Sequence, residues 1–425
     1  MKEKLVNLFQ KLGSRMTKMS NSPYLQAISG AMMGTLGLLI VGSISVLGLV
    51  LPKNYSFLSV LSHLAPTFSK LNTITIGSMS LYISVMVAYF FIKKIDENEN
   101  GVAAGVISLL CFLIVTPLEA TDNGNVIPTT WLGSSGVFCA LIVGLVSARI
   151  FLELKRRKLV IKMPQGVPPM VTSVFASLIP TIVIGVIFAV INMIFGATSF
   201  GNMHQFIYSM VQVPLQGIGG SIAGIVVISI IGQILWFFGI HGGNVVLPVV
   251  QAVLMSMDAE NLNAIAAGMT PPNITGYAFY QIIGWGGYSL GLVLLMLRAK
   301  SKQYRDVGKV SILPMLFGIG EPVMFGTPLV LNFDLFVPLV TNTGICYIIS
   351  YILIKIGIVS RFSGVAAIFG LPIGAYAAVE GSVSIVILHL ILQLVVGPLL
   401  WYPWFRRLDK KTYQRECEAA GKAEC

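Results

Sequence analysis

The chain has 425 residues, of which 55% are hydrophobic and only 11% are charged. A soluble globular domain usually carries about a quarter of charged residues, so this composition excludes a protein that meets water over most of its surface. The formal net charge of +11 does not indicate a nucleic-acid-binding protein, because the basic residues fall in short clusters between apolar segments, as topology determinants of membrane proteins do.

The N-terminal segment, residues 1–22, predicts an amphipathic helix at a membrane surface. Leu5, Leu8 and Leu12 recur at three- and four-residue spacing, with Lys and Arg residues around them. A basic amphipathic helix of this kind binds anionic lipid. The alternative is a helix that packs its apolar face on the protein's own loops. Charges interleave with the apolar residues throughout, so the segment does not resemble a cleavable signal peptide.

Apolar segments follow along the whole chain, and most are long enough to cross a hydrocarbon core of about 30 Å as a helix. The predicted spans are 27–51, 74–92, 101–118, 131–151 and 171–195 in the first half, and 222–240, 245–257, 282–297, 335–358 and 383–401 in the second. The weaker segment 245–257 is open to a re-entrant interpretation. The sequence predicts an all-α integral membrane protein with about ten transmembrane helices, two re-entrant hairpins and interfacial amphipathic helices.

The charge distribution predicts the orientation. With the N-terminus in the cytoplasm, 24 of the 28 Lys and Arg residues lie in or beside cytoplasmic segments, as the positive-inside rule requires. Both termini are then cytoplasmic, in a bacterial cytoplasmic membrane. The predicted domains are an interfacial helix at 1–22, an N-terminal helical half at 23–198, an amphipathic connector at 199–221, a C-terminal half at 222–404 and a cytoplasmic tail at 405–425.

Two apolar stretches in the second half, 313–333 and 362–381, are interrupted by Gly and Pro. Irregular backbone at membrane depth is tolerated only where protein surrounds it or where it lines a cavity. Interrupted segments of this kind indicate the binding site of a transporter. We therefore interpret both stretches as re-entrant hairpins that carry a solute site.

Two ionisable residues fall at such interruptions. Glu321 lies between glycines and Pro322, and His241 follows an apolar run and precedes Gly242. An imidazole donates and accepts hydrogen bonds, which suits a sugar hydroxyl, and a carboxylate beside it could help to remove the hydroxyl proton. We interpret the pair as a polyol site. The alternative is a structural pair that holds two helices together.

Further substrate-binding candidates lie near these two residues. Trp236 could stack on a pyranose ring, although a core or interfacial Trp is an equal alternative. Asn244, Thr270 and Asn332 are weaker polar candidates. His389 lies in an uninterrupted span, where we expect its ring to bond a neighbouring helix. The cysteines show no metal-ligand spacing, so the sequence predicts neither a cofactor nor a metal site.

The chain resembles the membrane-spanning IIC component of phosphotransferase-system (PTS) sugar permeases, in the lactose, cellobiose and diacetylchitobiose branch. The resemblance covers essentially the whole chain. It is carried by short motifs in a characteristic order, namely Ile161-Lys162-Met163-Pro164, Val167-Pro168-Pro169, Phe238-Gly239-Ile240-His241-Gly242, Glu321-Pro322 with Phe325-Gly326 and Asn332, and Tyr402-Pro403-Trp404-Phe405.

The resemblance implies a homodimer whose first half forms the subunit contact, and a second half that carries the sugar by an elevator-like displacement. It also implies that His241 and Glu321 contact the sugar near the hydroxyl that becomes phosphorylated. A separate IIB protein supplies the phosphate through a phosphocysteine, so the chain is expected to be a transport subunit rather than an enzyme by itself. Its expected partners are a sugar, the IIB and IIA components and membrane lipid.

Two departures from the family pattern bear on the substrate. Gly320 stands where the family usually has Asn, and 371–376 (Leu-Pro-Ile-Gly-Ala-Tyr) replaces a Pro-Trp-Thr-Thr-Pro-like run. The aromatic platform is then lost or supplied by Tyr376, so the identity of the sugar stays open.

The residues alone leave other functions possible. Glu321 and His241 could form a proton relay in an ion-coupled secondary sugar transporter, a role that intramembrane carboxylates serve. A membrane receptor or scaffold fits poorly with two interrupted hairpins.

Overall fold

The computed structural model describes residues 21–54, 56–122, 124–164, 166–327, 329–367 and 370–419. The predicted interfacial helix at 1–22 lies outside these residues except for its last two positions. The described chain forms two compact units. The first contains 21–219 with Leu247–Thr270, and the second contains Gly220–Val246 with the chain from Pro271 onward. The roles expected for the two halves, subunit contact and sugar transport, stay predictions.

The first unit is built from helices and one short β-hairpin. Its helices are Pro23–Gly34, Leu36–Asn54, Ala65–Ile74, Met79–Ile95, Gly101–Val115, Val137–Arg156, Pro169–Gly196, Met203–Ile207 and Val213–Gly219, with most of Gly242–Ala266. Short 3₁₀ turns lie at Ser56–Leu64, Ile76–Ser78, Thr129–Trp131 and Ser134–Gly136, and a π-helical turn lies at Tyr208–Gln212. The hairpin pairs Glu119–Thr121 antiparallel with Gly124–Val126.

Small residues bring three of these helices close together. The Ser108 hydroxyl donates to the carbonyl oxygen of Ser84 at 2.7 Å, from one helix to the next. A Cβ atom on Gly144 would collide with the side chain of Val87. Helices in a membrane associate through such close packing and interhelical hydrogen bonds, because burial of apolar surface gains little in lipid.

The helix Pro169–Gly196 has an exposed apolar face that is suited to contact with lipid. The most apolar 18 residues within Val171–Gly196 have a mean hydropathy of 2.7, and only 22% of them are buried. The exposed side chains Val174, Leu178, Ile182, Val186 and Val190 recur every four residues and therefore cover one face. A helix face of this kind is stable against hydrocarbon and not against water.

The second unit contains the helices Ile222–Phe237, Tyr277–Ile283, Ser289–Met296, Lys302–Met315, Glu321–Gly326, Phe336–Lys355, Ala375–Ala378, Val383–Ile391 and Gly397–Ala419, with the first turn of Gly242–Ala266. A 3₁₀ turn, Trp285–Tyr288, and a π-helical turn, Leu392–Val396, lie between pairs of them. Ser221 begins the unit's first helix as an N-cap, since its side chain accepts a hydrogen bond from the N–H of Gly224 at 3.0 Å.

The start of Lys302–Met315 is held by two carboxylates from the C-terminal helix. Asp409 accepts from the N–H groups of Lys300 and Ser301, each at 2.9 Å. Glu416 accepts from those of Lys302 at 2.9 Å and Gln303 at 3.0 Å. Four consecutive backbone donors at a helix start are thereby satisfied by negative charge, which the helix dipole favours.

The predicted all-α membrane fold is confirmed. Within the described residues, eight helices are long and apolar enough to cross a membrane, and nine if the pair Met203–Gly219 and Ile222–Phe237 counts as one broken span. The apolar helix Gly101–Val115 is shorter. Every predicted span corresponds to one of these helices. The chain is therefore a multi-pass membrane protein.

The weakest predicted span, 245–257, proves to be a continuous helix of 25 residues, Gly242–Ala266. Polar side chains lower its hydropathy, but three of them form hydrogen bonds with side chains of the first unit. Gln216 donates to Glu260 at 2.9 Å and to Ser256 at 3.1 Å, and Ser29 donates to Gln251 at 3.1 Å. These groups therefore face protein, so the re-entrant interpretation of this segment was wrong.

The two interrupted segments are irregular where the sequence indicates it, whereas the connector 199–221 is helical from Met203 to Gly219 and includes a π-helical turn at Tyr208–Gln212. Within 313–333 the backbone turns at Gly318, where φ is +80°, and resumes as the short helix Glu321–Gly326. Within 362–381 the described residues are irregular apart from Ala375–Ala378. The re-entrant course of both hairpins stays a prediction.

Candidate functional site

A cavity of about 510 Å³ lies within the second unit. Its walls come from Ile222–Phe237, the start of Gly242–Ala266, the interrupted stretch around Trp285, the loop before Glu321, and a few residues of three other helices. The lining residues include Ser229, Trp236, His241, Gln281, Gly286, Gly287 and Tyr376. This volume suits a small ligand, since ligand pockets usually measure about 300–1,000 Å³.

A tight turn sets the position of His241. The helix before it ends at Phe237, and Gly239 adopts a φ of +77°, which favours glycine. The next helix starts at Gly242, where a Cβ atom would collide with the backbone of Gly232. The two glycines therefore allow one helix to stop and the next to begin beside it, with His241 between them.

The hydrogen bonding of His241 fixes which ring nitrogen faces a ligand. The backbone N–H of Asn244 donates to His241 Nδ1 at 3.2 Å. In a neutral imidazole the other nitrogen, Nε2, then carries the proton. The side chain is exposed and lines the cavity, so Nε2 is available to donate to a ligand oxygen.

The aromatic residues of the cavity differ in accessibility. Trp236 is half-buried and its ring lies 4.4 Å from that of His241, between centroids. Trp285 and Tyr376 are each 5% exposed, and their ring centroids are 6.3 Å apart. Trp236 is consequently the most accessible of these three rings for stacking with a ligand.

Two buried polar atoms on the cavity wall have no hydrogen-bond partner among the described residues. They are the hydroxyl oxygen of Ser229 and Oε1 of Gln281. Buried polar groups are normally paired, and an unpaired one is costly. Both residues line the cavity, so both atoms lie close to the space that a ligand would occupy.

The backbone at Glu321 borders the cavity. Gly318, Ile319 and Gly320 line it, and Glu321 is the first residue of the following helix. The placement of the Glu321 side chain lies outside what the structure describes, so its contact with substrate stays a prediction. Pro322 supports the helix start, where a missing N–H costs nothing.

The structure brings together some of the predicted site residues and not others. Trp236, His241, Asn244 and Tyr376 all line the cavity. Asn332 lines a separate hollow with Tyr304 and Lys411, and its side chain accepts from the N–H of Asp334 at 3.1 Å. Thr270 is exposed after Gly242–Ala266 and belongs to the first unit. A role of Asn332 and Thr270 in substrate binding stays a prediction.

The sequence analysis missed the interruption within the predicted span 282–297. Gly284, Trp285, Gly286, Gly287 and Ser289 all line the cavity, in a stretch that we interpreted as a plain helix. The Gly286-Gly287 pair was the available signal, because paired glycines inside an apolar run resemble the other interruptions. The expected role of His389 is confirmed, since its Nδ1 lies 3.1 Å from the carbonyl oxygen of Ile282 on another helix.

Comparisons with known proteins agree on one family. The family model for the EIIC component of the phosphotransferase system matches residues 29–343. The PTS system oligo-beta-mannoside-specific EIIC component of Bacillus subtilis (strain 168) is 32% identical over 95% of this chain and 93% of its own. The PTS system cellobiose-specific EIIC component of Geobacillus stearothermophilus is 31% identical over 94% of this chain and 93% of its own.

A solved structure shares the whole fold. The transporter ChbC, the IIC component from the N,N'-diacetylchitobiose-specific phosphotransferase system, superposes with a TM-score of 0.85 at 31% identity, over 96% of this chain and 98% of that one. The likeness therefore extends to both compact units.

Proposed function

Because the chain belongs to the EIIC family of the phosphotransferase system, we propose that it binds a sugar outside the cell and presents it inside for phosphorylation by a IIB partner. The resemblance seen in the sequence is thus confirmed at the level of the family. In this proposal the chain is the transport subunit of a phosphoenolpyruvate-dependent system, and the phosphate reaches the sugar through separate IIA and IIB components.

The cavity in the second unit carries the proposal. It combines an open indole face at Trp236, a proton on Nε2 of His241, and unpaired polar atoms at Ser229 and Gln281. An aromatic face suits the C–H face of a pyranose ring, and the polar groups suit its hydroxyls. Few ligand classes other than sugars present both surfaces at once.

We propose a disaccharide of the cellobiose, lactose or diacetylchitobiose class as the substrate. The names of the similar proteins support this class, since they specify oligo-beta-mannoside, cellobiose and N,N'-diacetylchitobiose. The cavity volume of about 510 Å³ leaves room for two sugar rings. In this chain 371–376 replaces the usual motif of the second hairpin. We therefore expect its selectivity among these sugars to differ from that of family members that keep the motif.

We further propose a homodimer that contacts through the N-terminal half, and an elevator-like movement of the C-terminal half with both termini in the cytoplasm. The exposed apolar helix faces of the first unit support a contact in the membrane, and the charge distribution supports the orientation. Native mass spectrometry that finds only monomers, both in mild detergent and in membrane vesicles, would contradict the dimer.

The function is tested with inside-out membrane vesicles and purified IIA and IIB proteins. Cellobiose, mannobiose or N,N'-diacetylchitobiose is loaded into the lumen, which corresponds to the outside of the cell, and phosphoenolpyruvate with the general phosphotransferase proteins is added outside the vesicles. We expect phosphorylated sugar to appear outside the vesicles only when both this chain and the IIB protein are present. Release of unmodified sugar from the lumen that depends on a proton gradient would instead favour the ion-coupled transporter.

A further inference from the structure

The span Tyr277–Met296 is interrupted where it meets the cavity. Gly286, Gly287 and Tyr288 adopt φ values of 59°, 56° and 62° in succession, all in the left-handed region that ends an α-helix. The helix therefore stops at Ile283 and resumes at Ser289. Gly286 and Gly287 form part of the cavity wall, so the ligand space there is bounded by bare backbone.

Side chains from the C-terminal helices contact three carbonyl groups at or beside the interruption. His389 Nδ1 lies 3.1 Å from the carbonyl oxygen of Ile282. Gln393 Nε2 donates to that of Trp285 at 3.0 Å, and Trp401 Nε1 donates to that of Tyr288 at 3.0 Å. All three side chains are at most 1% exposed, so each bond forms away from water.

The three donors come from one side of a continuous helical stretch. Gln393 lies within the π-helical turn Leu392–Val396, with His389 before it and Trp401 after it. Such a turn adds a residue to the helix and often marks functional sites. A Cβ atom on Gly291 would lie 2.5 Å from the backbone of Gly397. The stretch thus packs closely against Ser289–Met296, the helix that follows the interruption.

We propose that His389, Gln393 and Trp401 are positioning residues of the sugar site, which fix the 284–289 backbone as a wall that contacts the sugar. None of the three lines the cavity, and their role is exerted through the carbonyl groups that they hold. The inference rests on the proposed function, because it takes the cavity ligand to be a sugar. It assigns a binding role to a backbone segment and a supporting role to a helix outside the cavity.

The chemistry of the three bonds explains why this arrangement is needed. A carbonyl group without a partner in a buried site is costly, and the chain could avoid that cost by closing the helix through 284–289. Closing it would require φ values below zero at the two glycines and would move the wall. The side-chain donors stabilise the open form, and a binding site gains affinity when it is already shaped for its ligand.

The test uses the full-length protein in detergent, with cellobiose, mannobiose and N,N'-diacetylchitobiose as probes. Gln393→Met and Trp401→Phe each remove one donor while keeping an apolar or aromatic body of similar shape. Ser350→Ala is the matched control, since Ser350 is fully buried in the same unit but its hydroxyl donates to Cys346 at 2.8 Å, within its own helix. Sugar affinity is measured by calorimetry, and amide hydrogen exchange is followed in peptides that cover 284–289 and 236–244.

We expect each donor variant to weaken sugar binding at least tenfold and to lose the sugar-dependent protection of 284–289, while 236–244 keeps its protection and the control behaves as wild type. Unchanged affinity and unchanged protection at 284–289 would overturn the inference. So would an equal loss of protection in both peptides that follows the folded fraction, because that is the result of a merely structural role. A wild-type protein that binds none of the probes contradicts the proposed function, and with it the identity of the ligand on which the inference rests.

Discussion

The rings of Trp236 and His241 lie 4.4 Å apart between centroids, at an interplanar angle of 46°. Gly239 turns the chain between them, so the last turn of one helix and the residue before the next meet at the cavity. An open indole face and the Nε2 proton of the imidazole can therefore act on one sugar ring, the first by stacking and the second on a hydroxyl.

Substitution of Trp236 should weaken sugar binding without unfolding the protein. For Trp236→Ala we expect a loss of about tenfold in affinity, because an aromatic contact contributes about 0.5–1.5 kcal/mol beyond the area it buries. Trp236→Phe should lose less. Trp131→Phe is the control, since Trp131 stacks on His204 in the first unit. Calorimetric affinities for Trp236→Ala equal to those of wild type would contradict stacking.

The substitution His241→Asn should remove the proposed hydrogen bond to the sugar and keep the hydrogen bond from the N–H of Asn244. In His241→Asn the side-chain oxygen can still accept from the N–H of Asn244, but the donor at the position of Nε2 is lost. We expect sugar affinity to fall about tenfold, as for the loss of one hydrogen bond of about 0.5–1.5 kcal/mol, with little change in melting temperature. A variant that loses stability and keeps its affinity would instead assign His241 to helix capping alone.

Glu321→Gln keeps the shape of the side chain and removes its charge and most of its proton-accepting power. If Glu321 contacts the sugar hydroxyl that is phosphorylated, phosphorylation-coupled uptake should fall at least tenfold, because a positioned general base contributes about 100-fold or more, while the amount of folded protein changes little. Vesicle assays normalised to folded protein provide the measurement. A parallel decrease of both quantities would favour the structural pair with a neighbouring helix.

Gly287→Ala should destabilise the protein, because a side chain at φ of +56° costs about 1–2 kcal/mol in the left-handed region. Gly185→Ala is the matched control, since a Cβ atom there meets nothing within 4 Å and the residue lies in the regular helix Pro169–Gly196. We expect the control to be neutral or slightly stabilised. Melting curves in detergent compare the two, and equal melting temperatures would show that the interruption tolerates a side chain.

The elevator-like movement predicts that a covalent link can stop transport without abolishing binding. A cysteine pair that ties the connector 199–221 to the N-terminal half should block uptake once oxidised, because the connector has to absorb the displacement of the C-terminal half. Sugar affinity should stay measurable, and reduction should restore uptake. Full transport by the crosslinked protein would exclude this mechanism.

Hydropathy was enough to predict the spans, because lipid requires long apolar helices, whose composition is visible in a window of residues. Gly242–Ala266 was underestimated because Ser256 and Glu260 lower the average although Gln216 satisfies both. Pairing of this kind joins residues that are far apart in the chain, so a hydropathy average over neighbouring residues cannot reveal it.

The site was predicted in part for a related reason. Glycine and proline beside His241 indicated an interruption, and the cavity lies there. The pair Gly286-Gly287 gave the same kind of signal but sat in a run apolar enough to be taken for a plain helix. Asn332 lines another hollow of the same unit and Thr270 belongs to the other unit, so a role in substrate binding stays a prediction for both.

The carboxylates of Asp409 and Glu416 tie the last helix of the chain to the start of Lys302–Met315, and the far end of that helix leads into the loop that lines the cavity. Shortening the protein to a point before Asp409 would therefore remove an anchor as well as a tail. Four amide groups would lose their negative partners at once, and Lys302–Met315 would be expected to fray from its first turn. An affinity tag or reporter is thus better joined after Ala419 than in place of the residues before it.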